Sequence, residues 1–187
     1  YLVNSIFLAA ACVVLNVVSS SFVAYGMARF RFKGKGIVFT VMLMTMFLPA
    51  QVSFIPQFLI FDRLEWINTY LPIIVPQLFG AAANILLVSQ FMKAIPKEMD
   101  EANSFAIWFR IILPQSVAVL IVVAISAFLG SWKDSMSPLI YLRDEELYTV
   151  AVALMYFQAP DQNSYLLLLT GVVISIVPTL VVYVCLQ

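Results

Sequence analysis

The sequence predicts an all-α membrane protein, a polytopic bundle of transmembrane helices. Three observations predict it. Of 187 residues, 63% are hydrophobic and 11% charged, where soluble chains carry about 45–50% and about 25%. A soluble domain this small has too little interior to hide so much apolar surface. The apolar residues also gather into five long runs without a charge, each longer than the roughly 20 residues a helix needs to cross about 30 Å of hydrocarbon. Within these runs no ten-residue alternation marks the strands of a membrane barrel. A segment in lipid must satisfy its own backbone hydrogen bonds, so the runs are read as helices.

In chain order the spans are Leu2–Ala28, Gly36–Phe61, Trp66–Met92, Ile111–Trp132 and Gln162–Gln187. The first contains Asn4, Asn16, Ser19, Ser20 and Ser21. The second carries Pro49 and Pro56 around Gln51, and proline inside a helix removes a hydrogen bond. The stretch 47–56 is therefore expected to be a broken helix near one membrane face, either a gate or an ordinary kink. The third contains Pro72, Pro76, Gln77, Asn84 and Gln90, and the fifth contains Pro178. A sixth uncharged run, Leu147–Pro160, is short for a span and reads as re-entrant or interfacial.

Basic residues set the orientation. With five spans, one side holds Arg29, Arg31, Lys33, Lys35, Lys93, Lys97 and Arg110, and the other holds Arg63, Lys133 and Arg143. The bias puts the first group in the cytoplasm, so the chain is expected to start outside and end inside. It lacks a start methionine and a signal-peptide pattern, and reads as a piece of a longer protein.

Several function classes recede. Ten basic and ten acidic residues leave no net charge for a nucleic-acid surface. There is no histidine, and Cys12 and Cys185 lie far apart in apolar runs, so no metal site is expected. No ionisable residue lies deep in a span, which counts against proton coupling and voltage sensing. Gly34-Lys35-Gly36 lacks the spacing of a phosphate-binding loop, so no nucleotide site and no catalytic constellation is present. The uncharged polar residues Gln51, Gln77 and Asn84 are candidates for a path taken by a neutral solute. Gln77 and Asn84 are seven apart, on one helical face. The plain alternative is hydrogen bonding between helices.

The connector from Lys93 to Pro114 is the most informative segment. Pro96 suits a first helical turn, and Glu98, Asp100 and Glu101 follow where the helix dipole favours negative charge. Phe105, Trp108, Phe109 and Ile112 share an amphipathic face. One or two short surface helices are expected, with aromatics turned to lipid or a partner.

The run Ile95-Pro96-Lys97-Glu98-Met99-Asp100-Glu101-Ala102, followed by Trp108-Phe109-Arg110-Ile111-Ile112-Leu113-Pro114, resembles the EAA loop of ABC importer permeases. Phe128-Leu129-Gly130-Ser131-Trp132-Lys133-Asp134 with Pro138-Leu139-Ile140 resembles a stretch of the carbohydrate, maltose-type branch. So do Tyr25–Phe32, Asn68-Thr69-Tyr70-Leu71 and Glu146-Leu147-Tyr148-Thr149. Relative to that pattern a short stretch is missing after Ala102, Lys133 stands where asparagine is commoner, and the resemblance implies six spans, one more than counted here.

The resemblance implies a type I ABC importer permease, a single transmembrane domain over 1–187 with a coupling helix within 93–114. It implies two cytoplasmic ATPase subunits that bind ATP and Mg, leaving this chain without a cofactor or enzymatic activity of its own. A second permease, expected to be a different chain, would complete the pathway, and an extracytoplasmic sugar-binding protein would deliver a sugar or oligosaccharide. The ATPase-coupling residues implied are Glu98, Asp100, Glu101, Ala102, Asn103, Phe105, Trp108, Arg110, Leu113 and Pro114. Phe157, Gln158 and Pro160 are candidates for contact with the binding protein. The protein would sit in the bacterial cytoplasmic membrane among lipid, with no nucleic-acid partner. The competing readings are an ATP-independent channel or secondary transporter for a small neutral solute, and a membrane scaffold.

Overall fold

A computed structural model describes residues 1–96, 107–156 and 162–186, with side chains in the last stretch from 168 to 185. Every regular element among them is helical. The α-helices are α1 (Leu2–Arg29), α2 (Lys35–Met46), α3 (Ala50–Arg63), α4 (Leu71–Ile74), α5 (Ala82–Ala94), α6 (Leu113–Gln115), α7 (Val117–Lys133), α8 (Met136–Tyr141), α9 (Val150–Tyr156) and α10 (Gln162–Leu186). A 3-10 stretch, Val75–Phe79, prolongs α4; a second is Glu145–Leu147; a π-helical turn, Trp108–Ile112, leads into α6. Among the described residues three helical segments are long and apolar enough to cross a membrane, or five if each of two bent pairs is one span.

The breaks fall where backbone chemistry puts them, and they bend or interrupt three of the expected spans. The second run is not one helix: α2 and α3 meet at 104°. The break is at Phe47–Pro49, while Pro56 sits inside α3 without ending it. Leu48 precedes a proline and is pushed out of helical geometry, so the helix restarts behind Pro49. The third run starts late, at Leu71, and is interrupted at Gly80–Ala81. Gly80 has φ +69°, a left-handed conformation that glycine adopts without a Cβ penalty. The fourth run is bent by 76° between Trp108–Gln115 and α7. By contrast α10 runs on through Pro178. Among its described residues the short sixth run holds the seven-residue α9.

The chain divides into two compact units. The first comprises Tyr1–Val13, Pro56–Val75 and Ile125–Gln187. Its core gathers Leu8 and Cys12 of α1, Phe61 of α3, Ile73 of α4, Tyr141 of α8 and Leu142. Phe61 stacks on Trp66 at 5.8 Å and meets Tyr141 edge-on at 5.4 Å. Asn4 Nδ2 donates to the carbonyls of Glu146 and Tyr148, and Ser5 Oγ accepts from the Val150 N–H.

Asn68 is the staple of this unit. Its Oδ1 accepts from the N–H groups of Arg143 and Asp144 at 2.9 and 3.0 Å, and its Nδ2 donates to Asp144 Oδ2 at 2.7 Å. Its own N–H donates to the Tyr141 carbonyl at 2.7 Å. With φ +64° it is also left-handed, which asparagine tolerates better than most residues. Asn68→Ala is expected to destabilise the protein by about 2 kcal/mol through lost bonds and strain together. Asn68→Gly, which removes only the bonds, should recover about half of that loss. Thermal unfolding in detergent measures both, and equal losses would show that the conformation contributes nothing.

The second unit comprises Val14–Ile55 and Pro76–Ala124. Its core combines Ala24 and Tyr25 of α1, Ile85, Val88 and Met92 of α5, Ile95, Ile107, Trp108 and Ile112, and Val119, Leu120 and Val123 of α7. In contrast, α2 has no buried residue at all.

Candidate coupling and pathway sites

Of the expected coupling residues, Glu98, Asp100, Glu101, Ala102, Asn103 and Phe105 lie outside the described residues. Trp108, Arg110, Leu113 and Pro114 are described, and they form one rigid turn. Pro114 has no N–H to offer, and its ring crowds the carbonyl four residues back. The turn ahead of it widens: the Leu113 N–H reaches the Trp108 carbonyl, five residues back. The Ser116 N–H then donates to both Ile112 (3.0 Å) and Leu113 (3.1 Å), which closes the turn before α7 starts.

This geometry splits the amphipathic face. Trp108 is 8% exposed and Ile112 fully buried, whereas Phe109 is 60% exposed. Trp108 meets the Phe22 ring edge-on at 5.6 Å. The expectation that the aromatics all face outward therefore holds for Phe109 and fails for Trp108. The wide turn rotates Trp108 onto α1 and α5, where an indole buries more apolar area than a surface offers it. Arg110 and Pro114 are exposed and Leu113 half-buried. Ile95, before the segment 97–106, and Ile107 and Trp108, after it, belong to one core cluster. Both ends of the connector are thus fixed to the same packed unit.

The polar residues of the second unit form a network centred on Asn16. Asn16 Nδ2 donates to Gln77 Oε1 at 2.9 Å, and Asn16 Oδ1 accepts from Asn84 Nδ2 at 2.8 Å and from Ser20 Oγ at 3.2 Å. Ser19 Oγ donates to the Gln77 carbonyl at 2.9 Å, which also accepts the Gly80 N–H at 3.1 Å. Gln77 and Asn84 are therefore brought together, on opposite sides of the Gly80 break and through a third residue. Gln51 is exposed near the start of α3 and does not join them. Asn16 was no candidate by itself, although its spacing with Ser19 and Ser20, i, i+3 and i+4 on α1, is the signal that could have found it. A Cβ on Gly80 would stand 3.0 Å from Ser20 Oγ and 3.1 Å from Ile85 Cδ1. Gly80→Ala is accordingly expected to cost about 1–2 kcal/mol from the left-handed backbone alone, read as a lower unfolding temperature. An unchanged temperature would mean that the break is not held.

In the first unit Phe157, Gln158 and Pro160 lie outside the described residues. The first unit holds a cleft of about 340 Å³ lined by Tyr1, Arg143, Glu145, Tyr148, Ala153 and Tyr156. Tyr148 and Tyr156 stack at 5.6 Å with planes 10° apart. Tyr1 OH donates to Glu145 Oε1 at 2.5 Å. The hydrogen bond with Tyr156 raises the Tyr148 hydroxyl above the usual tyrosine range, and the bond to Glu145 does the same for Tyr1. Both hydroxyls stay protonated at neutral pH. No cluster of His, Cys, Asp or Glu suited to a metal ion occurs among the described residues.

Long apolar helices, a break stitched by amides and a connector anchored at both ends in one core are the features of a membrane-embedded component. The family model for the inner membrane component of binding-protein-dependent transport systems matches residues 16–187, and this chain belongs to that family. It is 34% identical over 194 residues to the probable ABC transporter permease protein YurM of Bacillus subtilis, covering 100% of this chain and 65% of that protein. It is 30% identical to the arabinooligosaccharides transport system permease protein AraQ of Halalkalibacterium halodurans, covering 98% and 68%. The lactose transport system permease protein LacG of Rhizobium radiobacter is 26% identical, covering 98% and 69%. The chain thus spans about two thirds of the length of the curated relatives it matches. The first match extends over 194 positions against 187 residues here.

Proposed function

We propose that this chain is the permease subunit of an ATP-driven importer that moves a sugar or oligosaccharide across the cytoplasmic membrane. Family membership and the functions of its relatives support the class, and the double clamping of the 97–106 segment is the observation that carries the mechanism. A docking element held at one end would swivel when pulled. Held at both ends by Ile95 and by Ile107 and Trp108, it passes displacement into α1, α5 and α7 as one body. Packed cores respond to such displacement by switching between discrete arrangements. Glu98, Asp100, Glu101, Ala102, Asn103 and Phe105 are assigned to the surface that meets an ATPase subunit, with Arg110, Leu113 and Pro114 as its outer support and Trp108 as its root.

ATP and Mg would bind on two separate ATPase subunits, and this chain would do no chemistry. A second permease, a different chain, would complete the pathway. Gln77 and Asn84 spend their amides on Asn16, so they are assigned to holding the pathway wall together, while Gln51 is free to face a solute. Phe157, Gln158 and Pro160 are assigned to the surface facing an extracytoplasmic sugar-binding protein. This requires the start of the chain outside and its end inside.

The test is purification of the full-length protein from native membranes in mild detergent, followed by reconstitution. Co-isolation of a nucleotide-binding chain and a second permease, with ATP hydrolysis stimulated by a loaded sugar-binding protein, is the expected result. Solute uptake into vesicles by this chain without any ATPase would replace the proposal with the passive channel.

A further inference from the structure

We propose that the second unit carries a binding site for the head group of an anionic phospholipid, at the membrane surface between α1, α2 and α5. The site is a cleft of about 230 Å³ lined by Met27, Lys35, Gly36, Phe39, Ser89 and Lys93. Two lysines line it from different helices. Lys93, at the end of α5, holds its Nζ 5.8 Å from the centre of the Phe39 ring. Lys35, at the start of α2, donates from Nζ to the Phe30 carbonyl at 3.0 Å. These contacts aim both side chains without neutralising them, and no carboxylate lines the cleft among the described residues. Arg31 and Lys33 stand exposed on the same connector, so the described charges nearest its mouth are basic. A phosphodiester between basic groups at the end of membrane helices is the recognition pattern of anionic lipid.

The occupant is a lipid rather than an acidic protein surface because of what leads away from the cleft. Helix α2 begins at the cleft and buries none of its side chains; Ile37, Val38 and Val41 are 72, 44 and 53% exposed. An acyl chain attached to a phosphate held by Lys35 and Lys93 would lie along that row. An acidic protein loop would answer the charge and leave the row in water. Gly34 makes the approach open: its φ of +88° turns the connector sharply into α2, and nothing lies within 4 Å of where a Cβ would be. The inference rests on the membrane setting alone and holds whichever solute is carried.

The experiment uses the full-length protein in its native complex. Photoactivatable phosphatidylglycerol, added to complexes in nanodiscs of phosphatidylcholine, is expected to label peptides containing residues 27–39 and 89–93. Each lysine contributes about a fivefold preference for the anionic lipid, so Lys35→Gln with Lys93→Gln should reduce labelling about thirtyfold. Lys→Arg at both positions should retain most of it, and Arg63→Gln, elsewhere in the chain, all of it. Should the double glutamine variant fail to assemble, the map from the wild-type protein decides by itself. Labelling spread evenly over the apolar helices, or equal in wild type and variant, overturns the proposal. So does a variant that keeps the lipid and loses an associated subunit, because the cleft would then be a protein-docking face.

Discussion

Replacing Asn16 by leucine is expected to lower the stability of the purified protein by about 2 kcal/mol, on the basis of three side-chain hydrogen bonds at about 0.6 kcal/mol each in a membrane protein. The loss arises less from Asn16 than from what it leaves behind. Gln77 Oε1, Asn84 Nδ2 and Ser20 Oγ would each lose a partner, and Asn84 and Ser20 are buried. A polar group stripped of its partner in an apolar interior bears its full desolvation penalty. Asn16→Asp separates the components: a carboxylate keeps the acceptor for Asn84 and Ser20 but cannot donate to Gln77, and it brings a charge into the span. It should be worse than leucine. Val14→Leu, an exposed apolar exchange on the same helix, should stay within about 0.5 kcal/mol of the parent. Thermal unfolding in one detergent ranks all three, and a leucine variant as stable as the parent would remove Asn16 from its central place.

Trp108→Ala should remove about 3–5 kcal/mol, as truncation of a buried aromatic does, and such a loss could prevent assembly. Trp108→Phe keeps a ring against Phe22 and is the variant to assay for function. If Trp108 roots the connector, ATP hydrolysis by the assembled complex persists while sugar uptake falls by about tenfold, the equivalent of 1.4 kcal/mol in coupling. A docking residue behaves differently, because its loss reduces hydrolysis and uptake together. Glu101→Lys is expected to show that second pattern. Parallel loss of both activities in Trp108→Phe would move Trp108 from root to docking surface.

The spans, their order and the family resemblance were legible because each rests on a signal carried by many residues. Uncharged runs give length, and the Ile95–Ala102 and Phe128–Asp134 stretches give kinship. What escaped was local geometry set by a single residue against a tertiary partner. Pro49 and Pro56 look equally disruptive in sequence, yet only the first breaks the helix. Gly80 sits in an apolar run like many membrane glycines, and its left-handed φ shows only beside Ser20 and Ile85. Trp108 belongs to an amphipathic pattern at α-helical spacing, but Pro114 forces a π turn and shifts the register. Gln77 and Asn84 are seven apart, but the helix breaks between them, and what joins them is Asn16 on α1, which depends on packing between helices far apart in sequence.

The interruption at Gly80 also determines what its surroundings must be. A helix that restarts at Ala82 exposes the N–H groups of its first turn, which have no carbonyl behind them. Hydrocarbon offers no acceptor, so backbone of this kind survives at membrane depth only against protein or water. Phe79 and Ala81 are exposed in the isolated chain. In the importer proposed above, that patch is therefore expected to meet another subunit or an aqueous vestibule rather than fatty acyl tails.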